Sequence, residues 1–218
     1  MISARPHDLF WITNAGALIA DCAPPDWVRE AISAAPVVVV RRGVHRASQT
    51  PVGVRGKSRS ERFAAFVTAG DVHKRITPED LVKVEAWKNN HRPEFAPIRR
   101  ALETLAREWI SLHGAWGPTG SAGFELATGI PCVTSASDLD LVIRASQRIE
   151  ASRAIWLLQS VAALQVPADI RIETPFGSVA LKEYAAPSPS KLLMKTSHGP
   201  KLVFDPWRNP PIDTSTGP

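Results

Sequence analysis

Two short runs in the second half of the chain carry residue types that could do phosphoryl chemistry: Gly120-Ser121, and further on Ser137-Asp138-Leu139-Asp140-Leu141. Side chains alternate along a strand, so Asp138 and Asp140 share one face, with Cα atoms roughly 7 Å apart, while Leu139 and Leu141 point into a core. Two unpaired carboxylates so placed repel. Mg²⁺ takes hard oxygen ligands of this kind, and its charge removes the repulsion that otherwise raises one of the two pKa values. A Gly-Ser turn at a helix start offers free backbone N–H groups and a hydroxyl to phosphate oxygens. Asp138 and Asp140 are therefore the candidate metal ligands and catalytic carboxylates, and Gly120 and Ser121 the candidate phosphate cradle. A lone D-x-D also occurs at solvated strand ends, so the reading rests on the order of elements: Gly-Ser turn, D-x-D strand, then a later acidic strand. On that later strand Asp169 is the expected third carboxylate because it opens the segment. Glu173, four residues on and on the same face, is the alternative that spacing leaves open.

The charge pattern points the same way. The chain of 218 residues has 26 Lys+Arg against 21 Asp+Glu, a formal net charge of +5. The whole excess lies in residues 1–110, and most of it in one Gly/Ser-rich segment where Arg41, Arg42, Arg46, Arg55, Lys57, Arg59 and Arg62 face only Glu61. Readers of single-stranded nucleic acid interleave cations with exposed aromatics, and residues 41–62 contain no Phe, Trp or Tyr. Phosphates on a small or medium ligand are thus expected, with Arg55, Lys57, Arg59 and Arg62 as their binders and Lys191 and Lys195 as further candidates. None of the six histidines has a second His or Cys at metal-ligand spacing, and His7 is expected to pair structurally with Asp8. The two cysteines, Cys22 and Cys132, are expected to be buried thiols in a reducing compartment, the cytoplasm. No run reaches the roughly 20 apolar residues of a bilayer span, and no signal peptide is read.

The elements that must position these residues fall into two groups. Residues 8–12 and 37–41 read as strands around a short helix opened by Pro25. A strand from Thr50, a Gly-Lys-Ser turn and a strand over 62–67 follow, and Thr77-Pro-Glu-Asp is a helix start. Asn89 to Pro93 breaks the pattern. A long helix then carries Ile98, Leu102, Leu105, Trp109 and Leu112 at helical spacing. Strand 139–143, a helix over 147–164, and strands 169–174 and 178–184 turned at Pro175-Phe-Gly come next. Two short strands follow, over 191–195 and 201–204. The expected architecture is α+β: a small N-terminal α/β domain (1–90) carrying the basic segment, a C-terminal domain with a mixed sheet (91–210), and a loose tail (211–218). Trp11, Trp87 and Trp109 are expected on apolar faces.

The Gly-Ser turn, the D-x-D strand and a third carboxylate on a neighbouring strand resemble the signature of the nucleotidyltransferase superfamily, with a longer gap between Ser121 and Asp138 that Gly129-Ile-Pro131 would fill as an extra turn. A closer resemblance covers nearly the whole chain. It rests on Gly117-Pro-Thr-Gly-Ser-Ala-Gly-Phe-Glu-Leu-Ala-Thr-Gly129 with Ser137-Asp-Leu-Asp-Leu141, on Arg5-Pro-His-Asp-Leu9, Val52-Gly-Val-Arg-Gly56 and Arg59-Ser-Glu-Arg62, and on Leu193-Met-Lys-Thr196 with Gly199-Pro200. These runs resemble the malonate decarboxylase holo-acyl-carrier-protein synthases, the phosphoribosyl-dephospho-CoA transferases. The resemblance implies transfer of the triphosphoribosyl-dephospho-CoA prosthetic group to a serine of the decarboxylase's acyl-carrier subunit, with release of pyrophosphate. Two rivals share parts of the pattern: a nucleotidyltransferase using ATP on a protein or small molecule, and a non-catalytic nucleic-acid-binding module. Two close carboxylates without a metal to hold argue against the second.

Overall fold

The computed structural model describes residues 4–56, 58, 60–113, 115–187 and 191–210. Lys57, Arg59 and the expected tail 211–218 lie outside the described residues.

The first sheet is antiparallel throughout, in the order β4-β3-β2-β1-β5, from β1 (Leu9–Ile12), β2 (Val37–Val40), β3 (Gln49–Arg55), β4 (Arg62–Thr68) and β5 (Val72–Ile76). Alternation divides its two faces. Phe10, Ile12, Val38, Val40, Val52 and Val54 bury one face against Val28 and Ile32 of α1 (Asp26–Ala34). The other face sets Leu9 and Val37, flanked by Trp11 and Val39, against Phe124 and Ala127 of the second half. β5 escapes sequence reading because it is an edge strand whose central residues, His73, Lys74 and Arg75, show no apolar alternation.

The second sheet runs β11-β10-β9-β8-β7-β6, from β6 (Trp116–Pro118), β7 (Leu139–Arg144), β8 (Ala168–Glu173), β9 (Ser178–Ala180), β10 (Leu192–Thr196) and β11 (Gly199–Val203). β7 and β8 are parallel and joined through α5 (Ala151–Ala162), while the other pairs are antiparallel. The sheet is thus mixed, and the α+β expectation holds. The stripe on α3 (Ala96–Glu108) buries Ile98, Leu102 and Leu105, and the chain continues as a 3₁₀ turn that buries Trp109. Trp109 packs edge-to-face on Trp116 at 5.0 Å and donates its indole N–H to Ser160 Oγ at 2.8 Å, so the ring's polar atom is satisfied inside the core. α2 (Pro78–Lys83) opens with a reciprocal capping box between Thr77 and Asp80 and lies on β6, where a Cβ on Gly117 would stand 2.1 Å from the Pro78 carbonyl oxygen. Trp87 belongs to this second core as well.

Two expectations are corrected and one strand is added. The strand expected over 178–184 ends at Ala180, and Leu181–Tyr184 turns into a short helix, α6, that buries Leu181. β6 was not foreseen, because three residues containing Gly and Pro give no periodic signal. Cys22 and Cys132 are exposed, not buried: each sits in a proline-flanked loop, away from the periodic apolar positions that form the cores. No helix among the described residues is long and apolar enough to cross a membrane.

A polar knot joins the two sheets. Asp8 has no exposed surface and takes Arg75 at 2.8 Å, Arg144 at 3.1 Å and the Arg5 backbone N–H at 2.9 Å. Arg144 also donates to Glu79 at 2.8 Å and to the Pro6 carbonyl at 2.9 Å. Burial raises the Asp8 pKa in spite of these cations, so the knot fixes the relation of the sheets more than it adds stability. Asp8→Ala takes the ion-pair partner from Arg75 inside the knot, while Arg144 keeps Glu79 and the Pro6 carbonyl, and is expected to lower the unfolding free energy by roughly 3 kcal/mol. Arg46→Ala, which breaks the exposed pair with Asp21, should leave the urea midpoint unchanged. Equal midpoints for both variants would refute a structural role for the knot.

Candidate active site

Between the sheets lies a cleft of about 590 Å³, with Asp140, Asp169 and Gly120 on one wall and Arg41, Arg55 and Arg62 on the other. Strand pairing sets both walls. Asp140 and Asp169 are direct partners in the parallel β7–β8 register, which holds neighbouring strands about 4.8 Å apart. Arg55 and Arg62 are direct partners at the loop end of the β3–β4 hairpin. The Asp140 pKa is raised, first by burial and then by the charges of Asp138 and Asp169, with Arg55 and His7 acting in the opposite sense. The arrangement is an acid cluster short of positive charge, opposite a set of guanidinium groups.

Gly120 opens α4 (Gly120–Thr128) with a φ of 58°, and a Cβ there would stand 2.0 Å from Asp140 Oδ2. Both the left-handed backbone and the close approach require glycine. The Thr119 backbone N–H donates to the Asp140 carbonyl at 2.8 Å, which ties the Gly-Ser turn to the D-x-D strand.

The long gap between Ser121 and Asp138 is resolved by a residue that sequence reading quoted but did not assign. Glu125 is 2% exposed and accepts from the Cys132 and Val133 backbone N–H groups at 2.7 and 2.8 Å, from Asn90 at 2.7 Å and from Arg92 at 2.7 Å. Burial pushes its pKa up, yet these donors outweigh burial and the net shift is downward. The inserted residues are therefore a loop clamped onto α4, which delivers the chain to Asp138. A buried acid three residues before the end of an otherwise apolar helix was the available signal.

The other candidates divide. Ser121, half-buried in the first turn of α4, does not line the cleft. Asp138 is exposed just before β7, near enough to act on Asp140. Lys195 lines the cleft, whereas Lys191 lies over the Phe204 ring at 5.5 Å and does not. Lys57 and Arg59 fall outside the described residues. Glu173 is buried at the far end of β8, where it bonds His7 Nε2 at 3.2 Å and pairs with Arg42. Burial raises its pKa, but the His7 hydrogen bond and the Arg42 charge lower it further. It is thus occupied in holding the sheets together, and Asp169 is the acid beside Asp140. The expected His7–Asp8 pair is absent, because the neighbouring side chains turn to different partners, His7 to Glu173 and Asp8 to arginines. Arg41, Arg171 and His7 also line the cleft. Arg171 was legible as the residue two after Asp169 on the same strand face.

Among the described residues no group of three or more His, Cys, Asp or Glu forms a ready metal cage. The donor set of Asp138 and Asp140, with Asp169 alongside, suits Mg²⁺, which binds through one or two carboxylates and completes its shell with water and substrate phosphates.

Fold and cleft together define a two-sheet α+β protein with an acidic wall facing an arginine wall. Two family profiles match it: the phosphoribosyl-dephospho-CoA transferase MdcG N-terminal domain over residues 5–78, and the MdcG C-terminal domain over residues 87–206. The chain belongs to this family and is a transferase. Proteins named phosphoribosyl-dephospho-CoA transferase are similar along nearly their whole length. That of Klebsiella pneumoniae (strain 342) is 41% identical over 93% of this chain and 96% of its own. That of Azotobacter vinelandii is 38% identical over 94% of each chain, and that of Pseudomonas putida (strain GB-1) 37% identical over 95% and 97%. No solved structure matches the chain.

The Glu125 clamp makes a pH-dependent prediction. A carboxylate with a lowered folded-state pKa contributes stability above its unfolded value, near 4.3, and loses it as pH falls through the folded value. Glu125→Gln should therefore melt below wild type at pH 7, by roughly 2–4 °C for each kcal/mol lost, with the gap closing below about pH 4. A gap independent of pH in thermal melts would show that shape, not charge, holds the loop.

Proposed function

We propose that this transferase uses 2′-(5″-triphosphoribosyl)-3′-dephospho-CoA to attach the phosphoribosyl-dephospho-CoA prosthetic group to a serine of the apo acyl-carrier subunit of malonate decarboxylase, releasing pyrophosphate, in the cytoplasm. The observation that carries the reading is the side-by-side pair Asp140 and Asp169 facing Arg41, Arg55 and Arg62 across one cleft. Family membership supplies the transferred group.

In this reading the serine oxygen bonds to the α-phosphorus of the triphosphate as the bond to pyrophosphate breaks. Arg55 and Arg62 hold the departing phosphates, since guanidinium groups converging from paired strands match phosphate oxygens bidentately. Gly120 lets the backbone of the α4 turn approach the reacting phosphate. Asp169, on the flank of Asp140, takes the serine proton. Asp138 and Asp140 would hold Mg²⁺, whose charge would offset both the acid cluster and the negative charge building on the phosphates. The arginine wall keeps the triphosphate in line with the serine, and positioning of this kind supplies much of the acceleration in phosphoryl transfer.

The test is direct. With Mg²⁺ and triphosphoribosyl-dephospho-CoA, the purified chain should raise the mass of the apo carrier by the prosthetic group and release pyrophosphate in equal amount. A carrier with its acceptor serine changed to alanine should stop both. Labelling by ATP alone, equally well, would favour the general nucleotidyltransferase. Salt-sensitive nucleic-acid binding without any pyrophosphate would favour the binding module.

Asp138→Asn and Asp140→Asn should each cost about three orders of magnitude in transfer. Since the Asp140 pKa is raised, its ionised form is penalised in the folded state, increasingly as pH rises from the unfolded value through the folded one. Asp140→Asn should therefore melt no lower than wild type in divalent-free buffer at pH 7. Retention of a tenth of the activity, a loss of only ~1.4 kcal/mol, would sink the assignment.

Arg55→Glu with Arg62→Glu should weaken binding of the triphosphorylated ligand far more than that of its dephosphorylated nucleoside, each charge-assisted contact being worth roughly 1.5–3 kcal/mol. Titration of both ligands checks this. Equal losses would mean that the hairpin only supports the fold.

A further inference from the structure

The sheet face that carries Asp140 and Asp169 does not end at the cleft. Pairing carries it outward: Glu173 lies opposite Ser178, Ser178 opposite Lys195, and Lys195 opposite Pro200. Two residues along the same hairpin, Leu193 lies opposite Leu202. By alternation Leu193 shares the face of Lys195 and Leu202 that of Pro200, and Phe204 stands exposed just past the end of β11. This part of the face is open. Leu193 is 44% exposed, Leu202 63% and Phe204 72%, while the opposite face of the hairpin buries Leu192, Met194 and Val203 in the second core.

Lysines bracket the apolar strip. Lys191 sits over the Phe204 ring, with Nζ 5.5 Å from the ring centroid, and Lys195 ends the strip at the cleft, which it lines. Both are exposed, and neither forms an ion pair among the described residues. The nearby acids are engaged: Glu183 accepts the Leu193 backbone N–H at 3.3 Å, and Asp205 pairs with Arg148 and Arg208. A directly opposed leucine pair and a phenylalanine on an edge hairpin are a liability for a protein that works alone. Their continuity with the cleft, between two cations that form no ion pair among the described residues, gives them a use.

We infer that the outer face of the β10–β11 hairpin, Leu193, Leu202 and Phe204 between Lys191 and Lys195, docks an acidic segment of the acceptor protein that presents apolar side chains beside its acceptor serine. The inference rests on the proposed transfer to a carrier protein and names the surface that brings that protein to the cleft. Charge complementarity chooses an acidic partner, and Lys195 marks where the docked surface meets the reacting phosphates. A protein acceptor needs such a surface, because one serine hydroxyl offers little area to bind by.

The test uses the full chain with Leu202→Glu and Phe204→Glu together, both at solvent-facing positions outside the cleft. Isothermal titration of apo carrier into wild type and variant reads docking without turnover. The variant should bind at least about tenfold more weakly, a change of 1.4 kcal/mol. Its affinity for triphosphoribosyl-dephospho-CoA and its melting temperature should match wild type. Replacing the carrier's acids nearest the acceptor serine with lysine should weaken binding to wild type and restore part of the binding to the variant. Unchanged carrier affinity overturns the inference, as does an equal loss of affinity for the small ligand. A shift in sedimentation with carrier affinity unchanged would show the strip to be an interface between copies of this chain, and overturns it too. A wild-type chain that binds the carrier but transfers nothing would count against the proposed reaction and leave the docking surface standing.

Discussion

The carboxylate of Asp140 is the constraint around which the rest is arranged. It is half-buried, has an acid directly beside it on β8 and another two residues before it, and is touched by the glycine turn that opens α4. Such a group is costly to ionise, and the cost grows in a medium less polar than water. The fold holds it there because β7 is buried on its other side by Leu139, Leu141 and Ile143, so the strand cannot slip or turn to release the acid. Positive charge relieves the stored repulsion while keeping the acid ionised, and Arg55 on the opposite wall and His7 supply part of it.

The arginines of that wall belong to a different sheet with a different core, so the site exists only while the two sheets keep their relation. Apolar contact between Leu9, Val37 and Phe124 supplies attraction but little direction. Direction comes from buried polar groups: Asp8 with Arg75 and Arg144, and Glu173 with His7 and Arg42. Ion pairs of this kind stabilise little once desolvation is counted, yet they are intolerant of misplacement. The raised Asp8 pKa fits that account, since it marks a carboxylate kept for geometry at some expense in stability. Glu173 shows the same logic within one strand. It shares a face with Asp169, but the partners it meets four residues further along make it an anchor.

What was legible in the sequence follows from the range of the interactions. The helix stripe of Ile98, Leu102 and Leu105, the alternation of β7 and the Thr77 cap are local patterns, and each forms as read. The D-x-D pair and the Gly-Ser turn were legible because their chemistry is short-range too, although Gly120 reaches the cleft and Ser121 does not. What stayed hidden depends on long-range partners. Spacing could not choose between Asp169 and Glu173, because the choice is made by Asp140 on one strand and by His7 and Arg42 from the other sheet. Edge strand β5 and the three-residue β6 are specified by neighbours and not by their own periodicity. The exposure of Cys22 and Cys132 is a reminder that a residue type common in cores goes where its loop goes.

Glu125 links these scales. Its carboxylate gathers two backbone N–H groups, an amide and a guanidinium, so the loop before β7 leaves α4 from a fixed point. Since α4 begins at Gly120 and the loop ends at Asp138, the clamp sets both ends of the acidic wall at once. The same helix presents Phe124 and Ala127 to the first sheet, which carries the arginines. One nine-residue helix thus touches the acidic wall at its start, the opposing sheet along its side and the loop before β7 near its end. Separation of the walls is therefore set by packing on α4, and the width of the cleft follows from it.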